Sequence, residues 1–114
     1  MAPRRARMAP AARRRFLEAI AYVAERNPAA AERIVQEMRA LQARLITFPN
    51  LGVRGDIPGT RRIVMAPYVI TTRTQGDTIE IVAFRHGRQE DARAPSELLE
   101  DLADDAPPKP EGIR

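Results

Sequence analysis

With 114 residues and a formal net charge of +4, the chain has the size of one domain and an apolar content near the globular norm. It contains no cysteine and a single histidine, which excludes a disulfide framework and any metal site built on several Cys or His side chains, so no structural metal and no cofactor are expected. No window approaches 18 uninterrupted apolar residues, and Arg4, Arg5 and Arg7 are not followed by an apolar h-region; neither a membrane span nor a secretory signal is expected, and the expected location is the cytoplasm.

The distribution of charge says more than its total. Residues 1–62 hold 13 arginines against 5 acids, residues 63–95 are balanced, and residues 96–114 hold 2 basic and 6 acidic side chains. A basic front and an acidic tail suit a protein that meets phosphate or an acidic partner at one end and is screened at the other. Arginine supplies 18 of the 19 basic residues, which coding bias explains as readily as phosphate recognition does.

Taken in order, residues 2–8 are short and polar and read locally as coil or a marginal edge strand. Pro10 is acceptable at the first position of a helix, and Phe16, Ile20 and Val23 recur at helical spacing with Ala12 and Ala19 on the same side. A first helix is therefore expected over Pro10–Arg26. Asn27-Pro28 closes it and opens the next, because Asn is a preferred N-cap and Pro at N1 gives up only an orphan N–H. The second helix, about Pro28–Phe48, carries Ile34, Met38, Leu41, Leu45 and Phe48 as an apolar stripe, with Arg33, Glu37, Arg39 and Arg44 off it. So short a connection predicts an antiparallel helical hairpin whose stripes need a sheet to cover.

Pro49-Asn50-Leu51-Gly52 ends the second helix, and the connection through Gly59 reads as a surface loop. Pro58–Arg88 is the part of the chain richest in β-branched and aromatic residues, and it predicts three antiparallel strands over about Arg61–Met65, Tyr68–Thr74 and Thr78–Arg85. Turns fall at Ala66-Pro67 and Gln75-Gly76-Asp77. Alternation places Ile79, Ile81 and Ala83 on one face of the last strand and Glu80, Val82 and Phe84 on the other. Both sets are largely apolar, so that strand is expected to be central, with the N-terminal segment beside it. Tyr68 is expected in the core and Tyr22 in helix packing. Ser96 can cap a short acidic helix bearing Leu98, Leu99 and Leu102, and Asp104 onward, with Pro107, Pro108 and Pro110, is expected to be a disordered tail. The expected division is a domain over residues 1–94 and an acidic, Pro-rich extension over 95–114.

The order of elements, together with Ile20-Ala21-Tyr22-Val23-Ala24, Asn27-Pro28-Ala29-Ala30-Ala31, Phe48-Pro49-Asn50-Leu51-Gly52, Pro58-Gly59-Thr60-Arg61-Arg62, Pro67-Tyr68-Val69-Ile70, Ile79-Glu80-Ile81 and Arg85-His86-Gly87-Arg88, resembles the RelE/ParE superfamily of small bacterial toxins from type II toxin–antitoxin modules. The resemblance covers about residues 5–92. It implies an α+β fold, a helical hairpin packed on a small antiparallel sheet, with Arg5–Met8 as an edge strand. It also implies a cognate antitoxin as partner, alone or in a dimer or hetero-oligomer, and a role in growth inhibition or plasmid stabilisation.

Two activities share that scaffold, so fold does not settle function. RelE-like members resemble ribosome-dependent nucleases that cut mRNA without a metal, using Arg and Lys on the phosphorane charge and a Tyr or His as acid or base. ParE-like members poison DNA gyrase. Arg88 matches a catalytic Arg of the nuclease pattern and Arg62 falls near a catalytic Lys, but Val69 stands where an Arg follows the middle-strand aromatic, and the terminal Tyr falls at about Ala94. A ParE-like gyrase inhibitor is therefore the expected function, with a RelE-like ribonuclease and a degenerate, non-toxic antitoxin-binding protein as alternatives.

His86 is the candidate acid or base under the ribonuclease alternative only, since imidazole is the side-chain type that titrates near neutrality. Arg61, Arg62, Arg85 and Arg88 are the candidates for contact with the target or nucleic acid. Arg61 and Arg62 straddle their strand, so at most one of them can aim at a groove shared with Arg88.

Overall fold

The computed structural model describes residues 5–87. The order is β1 (Arg5–Met8), α1 (Pro10–Arg26), α2 (Pro28–Thr47), β2 (Val53–Arg54), β3 (Thr60–Met65), β4 (Tyr68–Gln75) and β5 (Thr78–His86). Both expected helices and the three expected strands of the meander are present, and Arg5–Met8 is a strand. The Ser96 helix, the tail from Asp104 and the 95–114 extension lie outside the described residues.

Asn27 makes the hairpin turn by serving both helices. Its backbone N–H closes α1 on the carbonyl of Val23, and its Oδ1 accepts from the N–H of Ala30 at 3.1 Å to open α2. Each helix has Pro in its first turn, where the missing N–H costs nothing.

The sheet order is β1-β5-β4-β3-β2. β5 lies inside the sheet between β1 and β4, as expected, and β1 runs parallel to it, so the sheet is mixed rather than wholly antiparallel. The N–H of Ala9 donates to the carbonyl of Ile81 at 2.8 Å, which fixes the start of α1 against that strand. β2, within the stretch expected to be loop, is a two-residue edge strand antiparallel to β3. Gly52 just before it has φ +92°, and a Cβ there would come within 2.4 Å of the carbonyl oxygen of Arg62, so only glycine fits this approach.

Both helices lie on one face of the sheet. Phe16, Met38, Leu41 and Leu45 pack there on Ile63, Tyr68, Ile70, Ile79, Ile81 and Phe84. The ring of Phe84 meets Phe16 edge-on at 5.3 Å and stacks on Tyr68 at 4.7 Å, a geometry that adds to simple burial.

This corrects the expected alternation in β5. Thr71 pairs with Ala83 but Thr72 pairs with Ile81, so Val82 is an extra residue that bulges the strand. The bulge reverses the alternation, and Phe84 therefore joins Ile79 and Ile81 in the core instead of facing away. Two further apolar residues depart from expectation. Phe48 caps the end of α2 and is 56% exposed, while Tyr22 is 60% exposed and carries the Arg26 guanidinium 3.7 Å above its ring.

Candidate functional site

The face of the sheet turned away from the helices carries the basic chemistry. Cross-strand register assigns its residues: Arg5 opposite Thr78, Arg7 opposite Glu80, Glu80 opposite Arg73, Thr71 opposite both Arg62 and Ala83, and Val69 opposite both Val64 and Arg85. Directly opposed residues share a side, so Arg5, Arg7, Arg62, Arg73 and Arg85 converge on one surface with Glu80 as its acid.

Glu80 is 7% exposed and lies between two guanidinium groups. Arg7 Nε reaches its Oε2 at 3.0 Å, and Arg73 donates to its Oε1 at 3.1 Å. These are charge-assisted bonds, and they tie the edge strand β1 through β5 to β4 in a row across the sheet. Arg85 is 3% exposed at the far end of β5. Beside it the surface turns apolar, with Val69 half-buried and Val64 71% exposed.

The candidate residues read from the sequence are divided by this register. Arg62 and Arg85 share the open face. Arg61 is opposed to Thr72 and faces the helix side, so only one of the adjacent arginines reaches the open face. His86 is opposed to Tyr68, its ring 6.0 Å from the tyrosine ring in an edge contact, and it too lies on the helix side, at the exposed end of β5. Arg88 lies outside the described residues. Sequence reasoning missed Arg7, Arg73 and Glu80. Their signal was Glu80 alone among apolar neighbours in a central strand, which demands cationic partners on the flanking strands.

An apolar groove of about 580 Å³ runs between α2 and the β3 edge, lined by Leu41, Leu51, Val53, Ile63, Val64 and Met65 among others. Among the described residues no cluster of His, Cys, Asp or Glu is placed to hold a metal ion, and no described helix is long and apolar enough to cross a membrane.

Residues 6–91 match the family model described as ParE toxin of type II toxin–antitoxin system, parDE. The chain belongs to the ParE toxin family. A relative from Sinorhizobium fredii (strain NBRC 101917 / NGR234), named "Putative toxin Y4kP", is 35% identical over 92 residues, spanning 79% of this chain and 95% of the relative. Among solved structures, the chromosomal ParDE TA system from P. aeruginosa contains a chain that superposes with a TM-score of 0.62 at 17% identity, over 72% of this chain and 94% of that one. That likeness concerns the fold: a ParE-family α+β unit in which two helices cover one side of a mixed sheet.

Proposed function

We propose that this ParE-family toxin inhibits DNA gyrase and is neutralised by a cognate antitoxin. The observation that carries the choice of target is the division of His86 from the arginines. Metal-free RNA cleavage needs an acid or base and cations converging on one phosphate. Here His86 is on the helix side of β5 while Arg62 and Arg85 are on the other, and Val69 occupies the open face between them. Contact by an arginine-bearing surface needs no such convergence.

The antitoxin reading draws support from the apolar groove between α2 and β3 and from the short edge strand β2. Together they suit a segment that folds on binding, which must bury apolar surface or add a strand to offset its ordering. The similar P. aeruginosa structure is of a chromosomal ParDE TA system. Co-expression with a neighbouring small acidic gene product is expected to give a co-purifying complex and to relieve growth arrest.

Expression alone, with DNA breaks, the SOS response and mRNA integrity followed in parallel, tests the target. Gyrase-dependent breaks that persist in the His86→Ala protein and fade in Arg62→Gln are expected. Codon-linked mRNA cuts that vanish in His86→Ala, where an acid or base is worth roughly 10²–10⁴-fold in rate, would transfer the assignment to the ribonuclease alternative.

A further inference from the structure

A second basic feature lies on the helix side of the sheet, away from the open face. β2 pairs with β3 so that Arg54 stands directly opposite Arg61. Opposed residues of an antiparallel pair have Cβ atoms about 4.5–5.5 Å apart, and like charges placed so destabilise the pairing. In a two-residue edge strand, nothing in the ladder forces this choice. The cost persists in the fold, so a counter-charge between the two guanidinium groups is the natural complement.

Among the described residues, no ion pair supplies that counter-charge. Arg54 and Arg61 line one pocket of about 380 Å³, enclosed by the Pro49–Thr60 connection on one side and by the ends of β3 and β4 on the other, and its lining contains no carboxylate. Arg61 makes one long bond, to the carbonyl of Gly52 at 3.4 Å, and Arg54 makes none among the described residues. Arg73 also borders the pocket, but its guanidinium is committed to Glu80.

Thr72 is the second, independent observation. It is opposed to Arg61 and so shares its side, it borders the same pocket, and it is 1% exposed. Its hydroxyl is buried with no hydrogen-bond partner. Buried hydroxyls are almost always bonded, so one that is not calls for an explanation, and a polar partner entering from the pocket supplies one. Thr74 and Asn50 add further polar groups to the lining of the same pocket.

We propose that this pocket binds the phosphate group of a nucleotide-sized phosphate ester. Two guanidinium forks from adjacent strands match the bidentate geometry of phosphate oxygens, which a lone ammonium would not. Thr72 and Thr74 would donate to the remaining oxygens. A volume of about 380 Å³ exceeds what inorganic phosphate fills and falls at the lower end of small-ligand sites, so the phosphate arrives carried on something larger. The site uses Arg61, which the open face does not, and it stands or fails independently of the gyrase assignment.

The test uses the full chain. At equal ionic strength, phosphate should raise the thermal midpoint relative to chloride, and adenosine 5′-monophosphate should bind saturably in a calorimetric titration more tightly than phosphate does. Arg54→Gln and Arg61→Gln should each weaken binding by about tenfold or more, the loss of one charge-assisted contact. Arg62→Gln, on the other side of the sheet, should leave it within about twofold. In phosphate-free chloride buffer, Arg54→Gln should unfold at a higher temperature than the natural protein, because the opposed charges are relieved. Thr72→Val should lower nucleotide affinity without lowering the midpoint.

A short single-stranded oligonucleotide distinguishes the sources of the phosphate. Tighter binding than the mononucleotide, still dependent on Arg54 and Arg61, assigns the site to a nucleic-acid strand; equal or weaker binding assigns it to a free nucleotide. The inference is overturned if phosphate and chloride act alike, if the Arg54→Gln protein binds as well as the natural one, or if a tetraglutamate peptide binds as tightly as the nucleotide.

Discussion

Glu80 joins three strands through one side chain. Its carboxylate is buried, its partner Arg73 is largely shielded, and Arg7 is about half exposed, so the Arg73 arm should account for more of the stability than the Arg7 arm, which solvent screens. Glu80→Gln keeps the volume and removes the charge, leaving two arginines sharing a neutral amide. An expected loss of about 2 kcal/mol in denaturant unfolding follows from the usual worth of hydrogen bonds to charged groups. Arg7→Gln should cost less than half as much, and raising the salt should shrink that smaller cost further. A Glu80→Gln protein as stable as the parent would show that the row of charges contributes nothing. His86 illustrates the same dependence on position. Its neighbours in sequence are arginines, yet strand geometry gives it Tyr68 as a neighbour in space and turns it from the cationic face.

At the scale of elements, the bulge at Val82 decides which residues of β5 reach the core. Before it, Ile79 and Ile81 face the helices; after it, Phe84 does, and Arg85 is delivered to the open face beside Val69. Deleting Val82 and Ala83 together would put Phe84 opposite Thr71 and Arg85 opposite Ile70, turning Phe84 out and Arg85 inward toward the helices. Both consequences are costly, since one forfeits a buried aromatic worth about 3–5 kcal/mol and the other buries a cation among apolar side chains. The double deletion is expected to lose its cooperative unfolding transition, whereas deleting Val82 alone, which removes only the extra residue and leaves Phe84 opposite Ile70, should only shift it. Equal stability of the two variants would mean that β5 slides without penalty. The turn between α1 and α2 behaves differently, because Asn27 joins the two helices through local hydrogen bonds that do not depend on the sheet.

For the whole molecule, charge is divided between the two sides of the sheet and the chain's end. The described body carries the arginines of both the open face and the β2–β3 pocket, while residues 96–114 are net acidic. Removing residues 105–114, in which Ile113 is the one large apolar side chain, is expected to leave the thermal midpoint within a few degrees, since so little apolar surface is available to bury. A larger fall would assign that end a structural role. In the same variant, weaker retention on heparin or a nucleic-acid column would be unexpected, because the deletion removes two carboxylates, Asp105 and Glu111, against two basic side chains, Lys109 and Arg114.

By itself the sequence determined the elements and their order. The 3.6-residue recurrence of apolar side chains, the prolines at both helix starts, the Asn27 cap and the β-branched run from Ile63 to Phe84 act within a few residues of each other, so their outcome is visible locally. The sequence also pointed to an interior place for β5, whose run from Ile79 to Phe84 is apolar but for Glu80. Only the tertiary structure decided which residues meet. The pairing of β1 with β5 joins Arg7 to Glu80 across more than 70 residues, and β2 forms only because β3 offers it an edge. The Val82 bulge is an adjustment between strands that no alternation pattern announces. The grouping of Arg62 with Arg85, of Arg54 with Arg61, and the separation of His86 from Arg62 and Arg85 follow from strand register, which is fixed by contacts between distant segments and not by the residues that flank each site.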